Sequence, residues 1–370
     1  MKKLWIGAAA LFVAACSQDA PPPAADTQDA KQDYVSGIDL DAMNTSVKPG
    51  DDFFAYVNGT WVAETEMPAD KSRYGVFDKL RDESEEAVKA IIEESASGDF
   101  PKGSDEQKVG DLYRSYLDWD TRDAKGTEPL QPELDRIAAI DSYDDLAVYF
   151  AGALTRGLDA PFATGQLTDF LDPTQYAYVM SQSGLGLPDR EYYFKDDEAS
   201  ARIREQYVEH VAKMFDIAGL GDGAQVADTI MALETRLAAE HMKKEQMRDY
   251  AGNYKKFVLD DLGGIMPNFN WSGYLAEYGI DGLPEIVVYN QDYMKALDGI
   301  IQDTDLDTWK TYLTWSALNQ RASMLTRELD QQNFEFYGKA LSGTEEQRPD
   351  WRRAVTTVDG VLGEVVGKVY

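Results

Sequence analysis

Beyond residue 78, apolar side chains return every three or four residues along most of the chain. That spacing admits few folds other than a stack of amphipathic helices. Leu80, Val88, Ile91 and Ile92 hold the pattern among Glu and Lys over 78–97. Ser104 with Gln107 reads as a capping box ahead of Val109, Leu112, Tyr113, Tyr116 and Leu117. Ser142 with Asp145 starts a similar helix that ends near Gly157. Longer patterns predict helices over 199–218, 223–248 and 306–329, with another starting near Phe334. Tyr176, Tyr178 and Met180 alternate instead and predict a short strand. Val355, Val358, Val361, Leu362, Val365, Val366 and Val369 carry an apolar helical stripe into Tyr370, which reads as a chain stopping short of its natural partner. The expected fold class is mainly α, a multi-helix body with a few short β-strands.

Charge and composition remove whole classes of function. The 370 residues carry 66 acidic and 36 basic side chains, a formal charge of −30. Such a field repels phosphate, so no nucleic-acid partner is expected, and bare anionic lipid surfaces are disfavoured too. One cysteine excludes a disulfide framework within the chain. His210 and His241 are the only histidines. His241 and Glu245 stand four apart within the predicted 223–248 helix and could face one metal ion. Lys243 and Lys244 share that turn, however, and the pair reads as a salt-bridged helix face. His210, beside Glu209, reads as a surface or core histidine. The chain contains no G-x-x-x-x-G-K-[ST], no G-x-S-x-G and no H-E-x-x-H. Gly184-Leu185-Gly186-Leu187 lacks the third glycine of a dinucleotide fingerprint. By motif alone, no catalytic site is visible.

The first residues read as an address. Lys2 and Lys3 precede an apolar stretch too short to span a bilayer, ending in Val13-Ala14-Ala15-Cys16. This is similar to a bacterial lipobox. It makes residues 1–15 a lipoprotein signal peptide and Cys16 the lipid attachment point, so that acyl chains tether the protein to a membrane without a spanning helix. Ser17, rather than aspartate, after the cysteine points to the outer membrane facing the periplasm. Residues 16–36, rich in Pro, Ala, Asp and Gln, read as a disordered tether.

Several tracts resemble one family. Pro49-Gly50-Asp51-Asp52-Phe53-Phe54-Ala55-Tyr56-Val57-Asn58-Gly59-Thr60-Trp61 is similar to the start of the neprilysin/endothelin-converting-enzyme-like zinc metalloendopeptidases. So is Ser72-Arg73-Tyr74-Gly75-Val76-Phe77-Asp78 followed by Leu80-Arg81-Asp82-Glu83. Leu185-Gly186-Leu187-Pro188-Asp189-Arg190-Glu191-Tyr192-Tyr193, Val287-Val288-Tyr289, Lys339-Ala340-Leu341-Ser342-Gly343, Trp351-Arg352-Arg353 and Gly367-Lys368-Val369-Tyr370 follow in the family's order. Single tracts are weak signals; seven in sequence are specific. Where vertebrate members carry disulfide cysteines, this chain has Asn58 and Ala354, as bacterial members do.

The resemblance implies the helical N-terminal lobe of such a peptidase, with residues 37–77 docking on the catalytic lobe and 78–370 forming the helical domain. The family's H-E-x-x-H helix, its third zinc ligand and its Asn-Ala-Tyr/Phe motif belong beyond the matched region. Zinc is therefore implied for the full-length enzyme through ligands outside this chain, where it would polarise a peptide carbonyl and activate water. Implied partners are oligopeptide substrates, admitted by size to a closed cavity, and the C-terminal catalytic domain of the same polypeptide. Arg73 matches a family arginine that grips the substrate's C-terminal side, a task suited to a bidentate guanidinium; Arg81 is a second substrate-binding candidate. Taken alone, Arg73 reads as a cation at a helix start near Asp78 and Asp82, and Arg81 as a surface ion pair. The alternative function is a non-catalytic lipoprotein that binds peptides or a partner.

Overall fold

The computed structural model describes residues 37–369. They fall in two compact units, one ending at Glu66 and the other beginning at Met67. In the first, helix α1 (Phe53–Glu64) starts where the Asp52 carboxylate accepts the Ala55 N–H. Residues 42–44 are tied to it by Asn44 N–H donating to Tyr56 O and Thr60 Oγ1 donating to Met43 O. No residue of α1 is buried, and Phe53 and Phe54 are each 67% exposed.

The second unit begins with α2 (Val76–Ser97), α3 (Asp105–Leu117), α4 (Trp119–Lys125), α5 (Gln131–Ala138) and α6 (Tyr143–Thr155). Strands β1 (Phe162–Thr168) and β2 (Tyr176–Gln182) follow, then α7 (Glu191–Phe194), α8 (Glu198–Ala218), α9 (Gly223–Glu240), α10 (Lys244–Met247) and α11 (Tyr250–Asn253). After β3 (Lys256–Val258) come α12 (Trp271–Tyr278), β4 (Glu285–Val288), α13 (Gln291–Asp303), α14 (Leu306–Arg321) and α15 (Arg327–Asn333). A π-helical stretch (Phe334–Leu341) leads to α16 (Asp350–Val369). Ser104, Ser142, Asp197, Asp222, Asp305 and Thr326 each cap a helix by accepting a backbone N–H three residues on. The mainly α expectation holds, as does the strand through Tyr176 and Met180.

The sheet has order β1-β2-β4-β3. β1 and β2 form an antiparallel hairpin from Phe162↔Gln182 to Thr168↔Tyr176; β4 lies parallel to β2 and antiparallel to β3. Its inner side chains, Phe162, Met180, Ile286 and Val288, join the main core with Phe150, Tyr207, Tyr274, Tyr293, Trp309 and Trp315. A second cluster is built where α2, α3 and α16 meet: Ile92, Val109, Tyr113, Tyr116, Ala354, Val355, Val358 and Val366. Gly110 permits that approach, since a Cβ there would strike the backbone at Ser95.

Three expected helices differ in the structure, two of them for a tertiary reason. The 223–248 helix stops at Glu240. His241 is extended at ψ 137°, because Gln182 on β2 holds the next residue by both groups, accepting from Met242 N–H at 2.7 Å and donating to Met242 O at 3.0 Å. His241 and Glu245 therefore do not share a helix. The 306–329 helix breaks after Arg321, where Arg122 takes the carbonyls of Ser323 (2.6 Å) and Leu325 (2.9 Å). In α16 the backbone leaves helical geometry at Leu362, so Val358 and Val366 are buried while Val361 is 60% exposed.

Candidate functional site

The Leu-Gly-Leu-Pro tract is tightly seated on the core. Gly184 sits at φ +87°, a conformation costly for any residue with a Cβ. A Cβ on Gly186 would collide with the Tyr207 hydroxyl. Beneath the tract lies Glu234, 1% exposed, accepting hydrogen bonds from Tyr193 Oη (2.7 Å) and Tyr207 Oη (2.9 Å). Burial pushes its carboxyl up to about 7, against the opposing pull of those hydroxyls and the Gly186 N–H. Sequence alone could not single out Glu234 among 66 acidic residues.

The histidines are likewise core residues. His210 stacks on Phe336 with centroids 4.9 Å apart, its Nδ1 3.2 Å from Gln332 Nε2. His241 meets the Tyr293 ring edge-on at 4.6 Å. Burial drives their pKa values down to about 3 and about 4, holding both neutral. Among the described residues no three His, Cys, Asp or Glu side chains converge as a metal site.

The start of α2 is different in character. Val76, Phe77 and Leu80 are 64%, 79% and 54% exposed. Leaving such side chains in water forgoes roughly 1.5–3 kcal/mol each relative to full burial, so this surface gains by being covered. Arg73, in the irregular stretch before the helix, and Arg81, one turn beyond Phe77, are exposed on the same segment. Neither has an ion-pair or hydrogen-bond partner among the described residues. The cation on Asp82 is Lys71, not Arg73, at 2.8 Å. Arg352 Nη1 donates to the same carboxylate oxygen at 2.8 Å, and Arg348 Nη2 lies 2.7 Å from both oxygens of Glu85. Desolvation raises the Asp82 pKa, but the Lys71 hydrogen bond and the Arg352 charge outweigh it and hold the carboxyl below its ordinary range. The Trp351-Arg352-Arg353 tract thus fastens α16: Arg352 to α2, Arg353 to Asp330 on α15 at 2.6 Å, and the Trp351 ring beneath Lys89 Nζ at 4.1 Å. Of these network residues the sequence had singled out Asp82 and the Trp351-Arg352-Arg353 tract, whereas Lys71, Glu85, Lys89, Asp330 and Arg348 went unnoticed. Cys16 lies outside the described residues, and no helix among them is long and apolar enough to cross a membrane.

The helical body is similar in sequence and in fold to known peptidases. The sequence profile of Peptidase family M13 matches residues 49–370, and the chain belongs to that family. It is 29% identical over 360 residues to human membrane metallo-endopeptidase-like 1, covering 90% of this chain and 45% of that protein. Mouse neprilysin is 28% identical over 363 residues, 89% of this chain and 47% of that one. The crystal structure of the Mycobacterium tuberculosis zinc metalloprotease ZMP1 with inhibitor superposes with a TM-score of 0.85 at 35% identity, over 90% of this chain and 51% of that chain. The chain spans about half the length of these relatives.

Proposed function

We propose that this chain is the N-terminal, substrate-enclosing lobe of a membrane-tethered zinc metalloendopeptidase that hydrolyses oligopeptides. The observation that carries the reading is the match of nine-tenths of the chain to half of a zinc metalloprotease, at 35% identity and a TM-score of 0.85. On this reading, zinc and its ligands belong to a C-terminal catalytic lobe, and residues 37–77 dock against it. Arg73 and Arg81 bind the substrate beyond the scissile bond. Their lack of a partner among the described residues supports that role, because a substrate carboxylate or carbonyl meets no competitor there to displace. Cys16 carries the lipid anchor, placing the enzyme at the outer membrane facing the periplasm.

The test is the reading frame that encodes Tyr370. A continuation containing H-E-x-x-H, whose complete product cleaves peptides in a chelator-sensitive way while the 370-residue piece neither cleaves nor retains stoichiometric zinc, supports the proposal. A stop codon after Tyr370 with peptide binding and no cleavage would establish the non-catalytic lipoprotein instead.

A further inference from the structure

Lys71 stands two residues before Arg73, and its ammonium reaches Asp82, the residue after Arg81. One 2.8 Å ion pair therefore spans the whole segment that carries both unpaired arginines. The pair is not free to drift. Asp82 is also held by Arg352 from α16, whose Nε lies 3.4 Å from Glu85, and Glu85 is in turn gripped by Arg348. The Glu346 N–H donates to Ala69 O at 3.0 Å, pinning the stretch just ahead of Lys71, and the Lys71 ammonium lies 5.5 Å from the centre of the Tyr74 ring. The side chains of Lys71, Asp82, Glu85 and Arg352 are 15%, 22%, 15% and 14% exposed, so solvent screens them weakly.

The network has a chemical consequence for the arginines. Asp82 lies next to Arg81 in sequence and Glu85 stands four residues after it, and both carboxylates are engaged by other cations.

We infer that Lys71 is a positioning and specificity-determining residue: by occupying Asp82 it fixes the Arg73 segment against α2 and keeps both arginines available to a substrate carboxylate. This rests on the reading of Arg73 and Arg81 as substrate-binding residues. Lys71 itself acts through Asp82 and does not touch substrate.

The test uses the complete polypeptide and matched peptides ending in a free carboxylate or an amide. Lys71→Met should raise KM for free-acid peptides about three- to tenfold, leave kcat within about twofold, and barely alter cleavage of the amides. Lys71→Arg should restore the wild-type KM. Asp82→Asn, which removes the competing charge together with the pin, should raise KM less than Lys71→Met does. An equal KM rise on amides, a fall in kcat alone, or failure of Lys71→Arg to rescue would overturn the inference, as would an Asp82→Asn effect matching that of Lys71→Met. Arg73→Met separates the two levels. If it fails to discriminate free acids from amides, the substrate role of Arg73 falls and takes this inference with it. If it discriminates while Lys71→Met does not, only the role of Lys71 falls.

Discussion

The Arg353 guanidinium closes on both oxygens of Asp330, at 2.8 and 2.6 Å, and Asp330 is only 3% exposed. This contact joins α16 to α15 inside a group that includes Asp350, 2.7 Å from Arg353 Nη2, and Trp119, whose Nε1 donates to Asp350 at 2.8 Å. A buried ion pair of this kind is costly to break from one side, because the remaining charge stays desolvated.

Arg353→Met should therefore destabilise the chain by about 3–5 kcal/mol, read as a shift in the urea midpoint at constant slope. Adding Asp330→Asn should recover much of that loss, since no buried charge is then left unpaired. Additive losses in the double variant would show that the two side chains act independently.

Glu234 makes stability depend on pH in a defined direction. Its carboxyl moves from 4.5 in the unfolded chain to about 7 in the fold, so the folded state holds the extra proton between those values. The contribution is complete below about pH 4.5 and is lost as pH rises through about 7. His210 and His241, lowered from 6.5 to about 3 and about 4, act in the opposite sense. Their contribution is present above pH 6.5 and is lost as pH falls toward those values. Comparing Glu234→Gln with the parent at each pH isolates the first effect. The variant should gain relative stability by up to roughly 3 kcal/mol between pH 4.5 and 8. Parallel unfolding curves across that range would mean that Glu234 does not titrate there.

Arg73→Met in the complete enzyme should lower kcat/KM roughly ten- to a hundredfold for peptides with a free carboxylate just after the scissile bond. Amidated peptides should lose much less. Thermal stability should hardly change, because the side chain is exposed and has no bonding partner among the described residues. Equal losses on both peptide types would make Arg73 a structural residue.

Cys16 is the thiol on which the lipid anchor depends. Precursor expressed in a Gram-negative host should incorporate labelled palmitate and sediment with membranes, and Cys16→Ala should do neither. Equal labelling of the variant would remove the lipid anchor from the proposal.

Helix content, most helix starts and family membership could be read from the chain, because amphipathic spacing and capping are local properties. Ser104 and Ser142 cap helices as their spacing requires, and the seven ordered tracts carried the family without any coordinates. Helix ends were another matter. Nothing near Glu240 or Arg321 announces a stop, because the hydrogen bonds that end those helices come from Gln182 and Arg122, 60 and about 200 residues away in sequence. The candidate site divides in the same way. Arg73 and Arg81 were visible as residues in a matching tract. That neither has a partner among the described residues, while Lys71, Arg348 and Arg352 engage Asp82 and Glu85, was decided by the packed chain, in which α16 folds back onto α2. Ion pairing depends on which charges come within a few ångströms and how far water is excluded, and only the packed chain sets either.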